Sequence, residues 1–257
     1  MKILAINPGS TSTKIAVYED TTPLLVRNIR HSVGELSHFP RVIDQFEFRK
    51  NLVIEALKEN GIPFEFDAIV GRGGLLKPIP GGVYEVNDAM LDDIAHAMRS
   101  HACNLGCLIA AELAALLPGC RAFIADPGVV DELDEIARIT GSPLMPRITI
   151  WHALNQRAIA RRYAAELTTA SPNHPVCYED LNLIICHLGG GISVGAHNHG
   201  RCIDVNNALD GEGPFSPERA GTLPAGPLID LCYSHRFRKD ELKKRISGHA
   251  GLAAHLG

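Results

Sequence analysis

No run of apolar residues in the sequence is long enough to span a bilayer, which excludes a membrane-spanning helix. No CxxC pair is present either. Cys103, Cys107, Cys120, Cys177, Cys186, Cys202 and Cys232 are scattered, several of them in apolar runs where cysteine acts as a small hydrophobe. That usage points to a reducing compartment. Basic charge is also in short supply: 25 Lys and Arg stand against 29 Asp and Glu, a formal net charge of -4. No positive field is therefore available for nucleic acid or an anionic membrane surface. The N-terminus opens on a strand pattern, without the basic and then apolar leader of an export signal. These absences lead to the expectation of a cytoplasmic protein that binds neither nucleic acid nor membrane and takes a small-molecule ligand. What is present, 257 residues of which 46% are hydrophobic and 21% charged, suffices for a substantial core and for two domains.

The organising feature is a repeated phrase. At the N-terminus, apolar Ile3 to Ile6 leads to polar Asn7, one spacer and Gly9, then a polar turn and a second apolar run from Ile15 to Val17. Further on, Ile184 to Cys186 leads to polar His187, one spacer and Gly189, then more glycines and the run from Ile192 to Val194. Each copy reads as strand, tight turn and return strand. A strand that ends in a polar residue and a Gly-rich reversal presents backbone N–H groups with little obstruction, which suits a phosphate chain. Taken singly, each copy is equally an ordinary hairpin; the repetition suggests two related lobes with a nucleotide between them.

Between and after the hairpins the pattern alternates. Thr22 to Ile29 reads as a third strand, and Arg41 to Asn60 as a helix closed by Gly61, with Ile43, Phe46, Val53 and Leu57 on its apolar side. Phe66 to Val70 reads as a short strand running into Gly71-Arg72-Gly73-Gly74. A strand end followed by glycines is where open α/β sheets place ligands, although Arg72 is also readable as a solvated loop cation. Pro78 to Gly82 is a turn; Asn87 is expected to cap a helix with Leu91, Ile94, Ala95 and Met98 on one face, and Asn104 a second, apolar helix ending at Pro118-Gly119. Arg121 to Ala125 reads as a strand ending at Asp126, whose carboxylate suits a metal or a nucleophile-positioning role and, equally, an Asx turn. Ile148 to Trp151 leads into His152 at the start of a helix running to Leu167, where the histidine reads as a cap or a packed side chain. After the second hairpin, the Gly- and Pro-rich stretch from Asp210 to Pro224 carries an isolated Arg219, and a long irregular loop in a compact domain is more often functional than idle. Two short helices, near Leu228 to Tyr233 and Lys239 to Ile246, are expected to end the ordered pattern.

Taken together, these segments resemble the acetate and butyrate kinase family of the actin, Hsp70 and sugar-kinase superfamily, essentially end to end. Asn-Pro-Gly-Ser-Thr-Ser-Thr-Lys at 7–14 is similar to the family's first phosphate motif and His-Leu-Gly-Gly-Gly-Ile-Ser at 187–193 to its second. Val-Gly-Arg-Gly-Gly-Leu-Leu-Lys-Pro-Ile-Pro-Gly-Gly at 70–82, His-Ala-Cys-Asn-Leu-Gly at 101–106 and His-Ala-Leu-Asn-Gln at 152–156 are similar to the butyrate branch. The resemblance implies an α/β, two-lobed actin-like (ribonuclease H-like) ATPase fold with duplicated β-hairpin sheets. Its first lobe would be residues 1–146, for phosphate, metal and acyl group, and its second, nucleotide-binding lobe residues 147–257.

The resemblance further implies a phosphotransferase that moves the ATP γ-phosphoryl group reversibly to a short-chain carboxylate, with Mg2+ and ATP required, ADP as co-product and a homo-oligomeric assembly. Acetate or propionate as the acceptor, and an inactive shortened remnant, are the alternatives. By motif, Arg72 and Arg219 would flank the transferring phosphoryl and the carboxylate, His152 would donate to the transferring group, and Asp126 would help fix the metal or the acceptor. Asn7, Ser10, Ser12 and Lys14 would hold metal and phosphates in one lobe, Asn7 and Asp126 converging on the metal. His187, Gly189, Gly190 and Gly191 would face the nucleotide in the other. Family members continue past the segment resembling Gly248 to Gly257, so an incomplete second lobe, and apolar surface left open on both lobes, are expected.

Overall fold

In the computed structural model, which describes residues 1–97 and 101–256, the chain forms two compact units: Met1–Lys77 with Gly82–Val129, and Pro78–Gly81 with Val130–Gly257. The first unit is built on a six-stranded sheet. Strands β1 (Lys2–Pro8), β2 (Ser12–Glu19) and β3 (Thr22–Arg30) form an antiparallel meander; β4 (Ala68–Arg72) runs parallel to β1, β6 (Arg121–Ala125) parallel to β4, and β5 (Val83–Glu85) closes the edge, giving the order β3-β2-β1-β4-β6-β5. The two apolar runs read from the sequence face each other in the β1–β2 register. Leu4 pairs with Val17 and Ile6 with Ile15, and all four are essentially inaccessible to solvent. They meet Val53 and Leu57 from helix α2 (Phe46–Glu59) and Leu105, Ile109 and Leu113 from α4 (Asn104–Ala115) in one core. Because side chains alternate along a strand, that register sends Asn7 and its partner Lys14 to the opposite face.

Several expectations are corrected. The helix foreseen at 41–60 begins as a 3-10 turn, Val42–Gln45, before α2, and a short helix α1 (Val33–Ser37), closed by a Ser32–Glu35 capping box, precedes it. Asn87 does cap α3 (Asp88–Ala95), its Oδ1 accepting from the Met90 N–H at 3.0 Å; Met98 lies outside the described residues. Asn104 is not a cap. It is the first helical residue, and its Oδ1 accepts from the Leu75 N–H at 2.9 Å, tying α4 to the segment after β4. The strand foreseen at 66–70 is shifted, so that Arg72 lies within β4 rather than in a glycine loop.

That shift has a packing cause: α4 lies directly on β4. A Cβ at Gly71 would stand 2.1 Å from the Gly106 carbonyl oxygen, and one at Gly106 would stand 2.4 Å from the Arg72 carbonyl oxygen. Both positions must be glycine for strand and helix to touch.

The second unit contains helix α5 (Ala153–Ala170) and an antiparallel sheet of β7 (Asn182–Leu188), β8 (Ile192–Asn198) and β9 (Arg201–Val205), followed by α6 (Ala225–Tyr233), α7 (Lys239–Ile246) and α8 (Gly251–Leu256). The ordered pattern thus extends beyond the two terminal helices foreseen. The apolar run Ile148 to Trp151 joins no sheet; Trp151 packs with Val130, Leu133, Ala153, Cys202 and Val205, its Nε1 donating to the Val130 carbonyl at 2.7 Å. Buried Arg157 pairs with Glu132 at 3.0 Å, and Glu132 accepts from the Gly81 and Cys202 N–H groups. These contacts draw residues 78–81 and 130–146 into the second unit, where the sequence places the boundary at 146/147. On β7 the outward residues Ile184 and Leu188 are 71% and 75% exposed. Among the described residues no helix is long and apolar enough to cross a membrane.

The contact between β4 and α4 yields a test. Gly71→Ala should destabilise the first unit by about 3 kcal/mol, the upper range for overpacking a tight site, as read from the denaturant midpoint, whereas an unchanged midpoint would show that strand and helix can separate freely.

Candidate functional site

In the first unit the ends of β1 and β4 bring three of the expected residues into one row. Lys14 lies opposite Asn7 across the β1–β2 ladder, and the Arg72 Nη1 donates to Asn7 Oδ1 at 3.4 Å. The Arg72 guanidinium also lies near Cys103, whose thiol burial pushes up to about 11 against the opposing pull of that cation. Cys103 is therefore a neutral packing residue and not a nucleophile. Asp126 follows β6, on the far side of β4 from Asn7. Its φ of 36° places it in the left-handed region, which Asp tolerates better than most residues. It is buried, with Oδ1 accepting from the Gly82 N–H at 2.9 Å. Among the described residues no group of three His, Cys, Asp or Glu side chains forms a metal cage.

Ser10 and Ser12 lie in the β1–β2 turn, which the Gly9 N–H closes on the Ser12 carbonyl at 2.7 Å. A residue the motif reading passed over holds this turn. Arg49 of α2 is fully buried; its Nη1 donates to the carbonyls of Gly9 (2.9 Å) and Ser12 (3.0 Å) and to Thr13 Oγ1 (3.1 Å), its Nη2 to the Ser10 carbonyl (3.3 Å) and its Nε to Gln45 Oε1 (3.0 Å). Burial lowers the Arg49 pKa to about 10, which leaves it charged at neutral pH. These bonds gather the turn's carbonyl oxygens on the Arg49 side.

In the second unit the other expected residues gather around the β7–β8 turn. His187 is the penultimate residue of β7, and its ring stacks on that of His152 with centroids 3.6 Å apart and planes 6° from parallel. His152 stands just before α5, where it is not a side-chain cap; its Nδ1 lies 2.9 Å from Ser193 Oγ. A Cβ added at Gly191 would be 3.5 Å from His152 Cε1 and 3.8 Å from Arg219 Nε, so histidine, turn and arginine converge. The irregular loop is tied to the same turn, since Ser216 Oγ donates to the Gly190 carbonyl at 2.5 Å and accepts from the Arg219 N–H at 3.0 Å. Arg219 Nη1 donates to Ser247 Oγ at 2.6 Å, while its buried Nε has no acceptor among the described residues.

Sequence reasoning also missed His197 and Gln156. His197 is 3% exposed and its pKa is lowered to about 4, chiefly by burial and then by the Arg157 charge, with Glu132 acting in the opposite sense. Ser193 and Gln156 each close a quoted motif, which was the only available signal.

Two outcomes are expected. Arg49→Met should destabilise the first unit by about 3 kcal/mol or more, because several turn oxygens lose their donor. Arg49→Lys should not restore it, an ammonium being unable to fork; full rescue by Lys in a denaturant titration would refute this. For His197, the unfolded chain binds more protons than the folded one between about 4 and the ordinary imidazole value, so stability should fall as pH drops through that window. The loss approaches about 3 kcal/mol, and a His197→Gln variant should lack this component of the acid sensitivity when midpoints are compared across pH.

No family model matches the chain. Among curated proteins, it is 76% identical over 257 residues to one named probable butyrate kinase from Bacteroides thetaiotaomicron, matching the whole of this chain and 71% of that protein. It is 52% identical over 258 residues to butyrate kinase 2 of Clostridium acetobutylicum, of which it spans 70%. Among solved structures, an acetate kinase from Porphyromonas gingivalis superposes with a TM-score of 0.69 at 18% identity, over 97% of this chain and 68% of that one. The structural likeness shows the actin-like ATPase fold expected from the motifs.

Proposed function

Because the chain belongs to the butyrate kinase family, we propose that it transfers the γ-phosphoryl group of ATP reversibly to a short-chain carboxylate, butanoate in the first place, giving an acyl phosphate and ADP. The observation that carries this reading is the convergence of His152, His187 and Arg219 on the Gly189–Gly191 turn, with Arg219 Nε buried and lacking an acceptor. A buried donor of that kind suits a phosphoryl oxygen.

The carboxylate nucleophile is ionised at neutral pH, so no general base is required. One carboxylate oxygen bonds to the γ-phosphorus as the bond to the β–γ bridging oxygen breaks, and the electron pair leaves on ADP. Both reactants are anionic, and the transferring group stays negative throughout. The work left to the protein is alignment and positive charge. Arg72 and Arg219 supply cations, His152 a donor to the transferring group, and Lys14 with the Ser10 and Ser12 turn a seat for phosphates. His187 and the glycine turn face the nucleotide. Asn7 and Asp126 offer hard oxygen donors at the ends of β1 and β6, the strands that flank β4, a set that fits Mg2+, which takes few protein oxygens and completes its shell with water and phosphates. When bound, the ion neutralises phosphate charge. A homo-oligomer belongs to the same proposal.

The test is hydroxylamine trapping of acyl phosphate with magnesium-ATP and carboxylates from acetate to hexanoate. Butanoate should give the highest kcat/KM, and a peak at acetate or propionate would move the assignment within the family. Trapping no acyl phosphate with any acceptor would overturn it. Arg72→Ala and Arg219→Ala should each lower turnover by roughly 10³-fold or more; near-native turnover in both would remove them from the transition state.

A further inference from the structure

In the second unit, five side chains form one continuous hydrogen-bonded line that ends on His152. Tyr178 Oη lies 2.5 Å from His197 Nδ1, His197 Nε2 lies 2.8 Å from Gln156 Oε1, Gln156 Nε2 lies 2.9 Å from Ser193 Oγ, and Ser193 Oγ lies 2.9 Å from His152 Nδ1. Tyr178, His197, Gln156 and Ser193 are all buried.

The protons along this line can be placed by elimination. Gln156 Nε2 is also 3.0 Å from the Ser193 carbonyl oxygen, which can only accept, so that end of the amide is the NH2 and the other end is the acceptor. His197 Nε2 must then carry a hydrogen to donate to Gln156 Oε1. Burial keeps this ring neutral near pH 7, so its Nδ1 is bare and accepts from the Tyr178 hydroxyl. At the far end, Ser193 Oγ receives the Gln156 amide and, at 3.4 Å, the His152 backbone N–H. With its lone pairs so used, its own hydrogen has, among the described residues, one acceptor, His152 Nδ1. A hydrogen on Nδ1 instead would give the hydroxyl a third donor and strand its proton in a buried site.

We infer that Ser193, Gln156 and His197 are positioning residues that fix the tautomer of His152, holding Nδ1 as an acceptor and the ring proton on Nε2. Gly195 belongs to the device. It lies on the inner face of β8 between Ser193 and His197, and a Cβ there would stand 2.5 Å from Gln156 Oε1 and 3.0 Å from His197 Nε2, through the bond that orients the amide. An Nε2–H ring offers a donor without adding charge, the property required if His152 donates to the transferring phosphoryl group; the inference rests on the proposed function in that respect alone.

The experiment is a long-range proton–nitrogen correlation spectrum of the full chain labelled with 15N-histidine, recorded well above the ordinary imidazole pKa, with His152 assigned by its loss in His152→Gln. The wild type should show His152 as the pure Nε2–H tautomer. Ser193→Ala should show averaged tautomers and lower kcat by about 10²-fold, as loss of a positioned donor does, with KM for the carboxylate little changed. A wild-type His152 that is Nδ1–H or mixed, or a Ser193→Ala protein that keeps the pure Nε2–H form, would overturn the inference. A chain showing the expected tautomer but forming no acyl phosphate supports the relay and counts only against the reading of function.

Discussion

A buried guanidinium without a carboxylate partner is an expensive object, because desolvation of the charge must be offset by hydrogen bonds of good geometry. Arg49 meets that demand with the Gly9, Ser10 and Ser12 carbonyls, the Thr13 hydroxyl and the Gln45 side chain. The dependence is mutual. If the β1–β2 turn took another shape, a full charge would be left in the core; if α2 shifted, the turn's carbonyls would lose their common donor. Helix position and turn conformation are thus two readings of one constraint, and Asn7, which β1 delivers beside Arg72, takes its place from it.

The second unit orients its histidine through neutral groups instead. Its line from Tyr178 to Ser193 consists of neutral groups, each with a forced direction, and the nearest buried ion pair, Arg157 with Glu132, holds residues 78–81 and β9 rather than the turn. Neutrality suits its place. Ser193 is one hydrogen bond from a ring assigned to an anionic transferring group, and a permanent charge fixed behind that ring would act on the ground state and the transition state alike. Directed neutral bonds orient the ring and leave positive charge to the cations that the proposed function assigns, Arg72 and Arg219.

Much of this was legible in the residues. Apolar runs broken by a polar residue and a Gly turn located β1, β2, β7 and β8, and the Asn87 cap fixed the start of α3. The failures have specific causes. Glycine was read as punctuation, so β4 was ended before Gly71; tertiary contact with Gly106 of α4 is what makes a glycine in mid-strand favourable there. Asn104 looked like a cap because Asn favours that position, but a partner 29 residues away, the Leu75 N–H, claimed its side chain. Of the residues named by motif, Asn7, Lys14 and Arg72 lie close together in the first unit and His152, His187 and Arg219 in the second, while the residues that hold them in place did not announce themselves. Gln156 and His197 are 41 residues apart. Arg49 left one trace, a charge four residues before Val53 on the buried stripe of α2, which a reading intent on apolar positions steps over.

Arg49 and Arg219 separate two uses of one side chain. Every nitrogen of Arg49 has an acceptor supplied by the protein, which is what a structural cation needs at rest. Arg219 is only partly satisfied: Nη1 has Ser247, and Nε has nothing. Leaving a buried donor unpaired costs about 1–3 kcal/mol, and a fold with a margin of about 5–15 kcal/mol keeps few such costs without cause. The orphan alone does not decide the matter, since His31 Nδ1 and Thr149 Oγ1 are also buried without partners. The neighbourhood does. His31 packs in a ring contact with Phe48, whereas Arg219 faces a turn without side chains and a histidine whose ring position is fixed. His31 is also held within the fold by the Thr13 hydroxyl, whereas on the proposed function the Arg219 donor, beside bare backbone and an imidazole, meets an anionic oxygen, and the stability forgone at rest returns as affinity when that oxygen arrives.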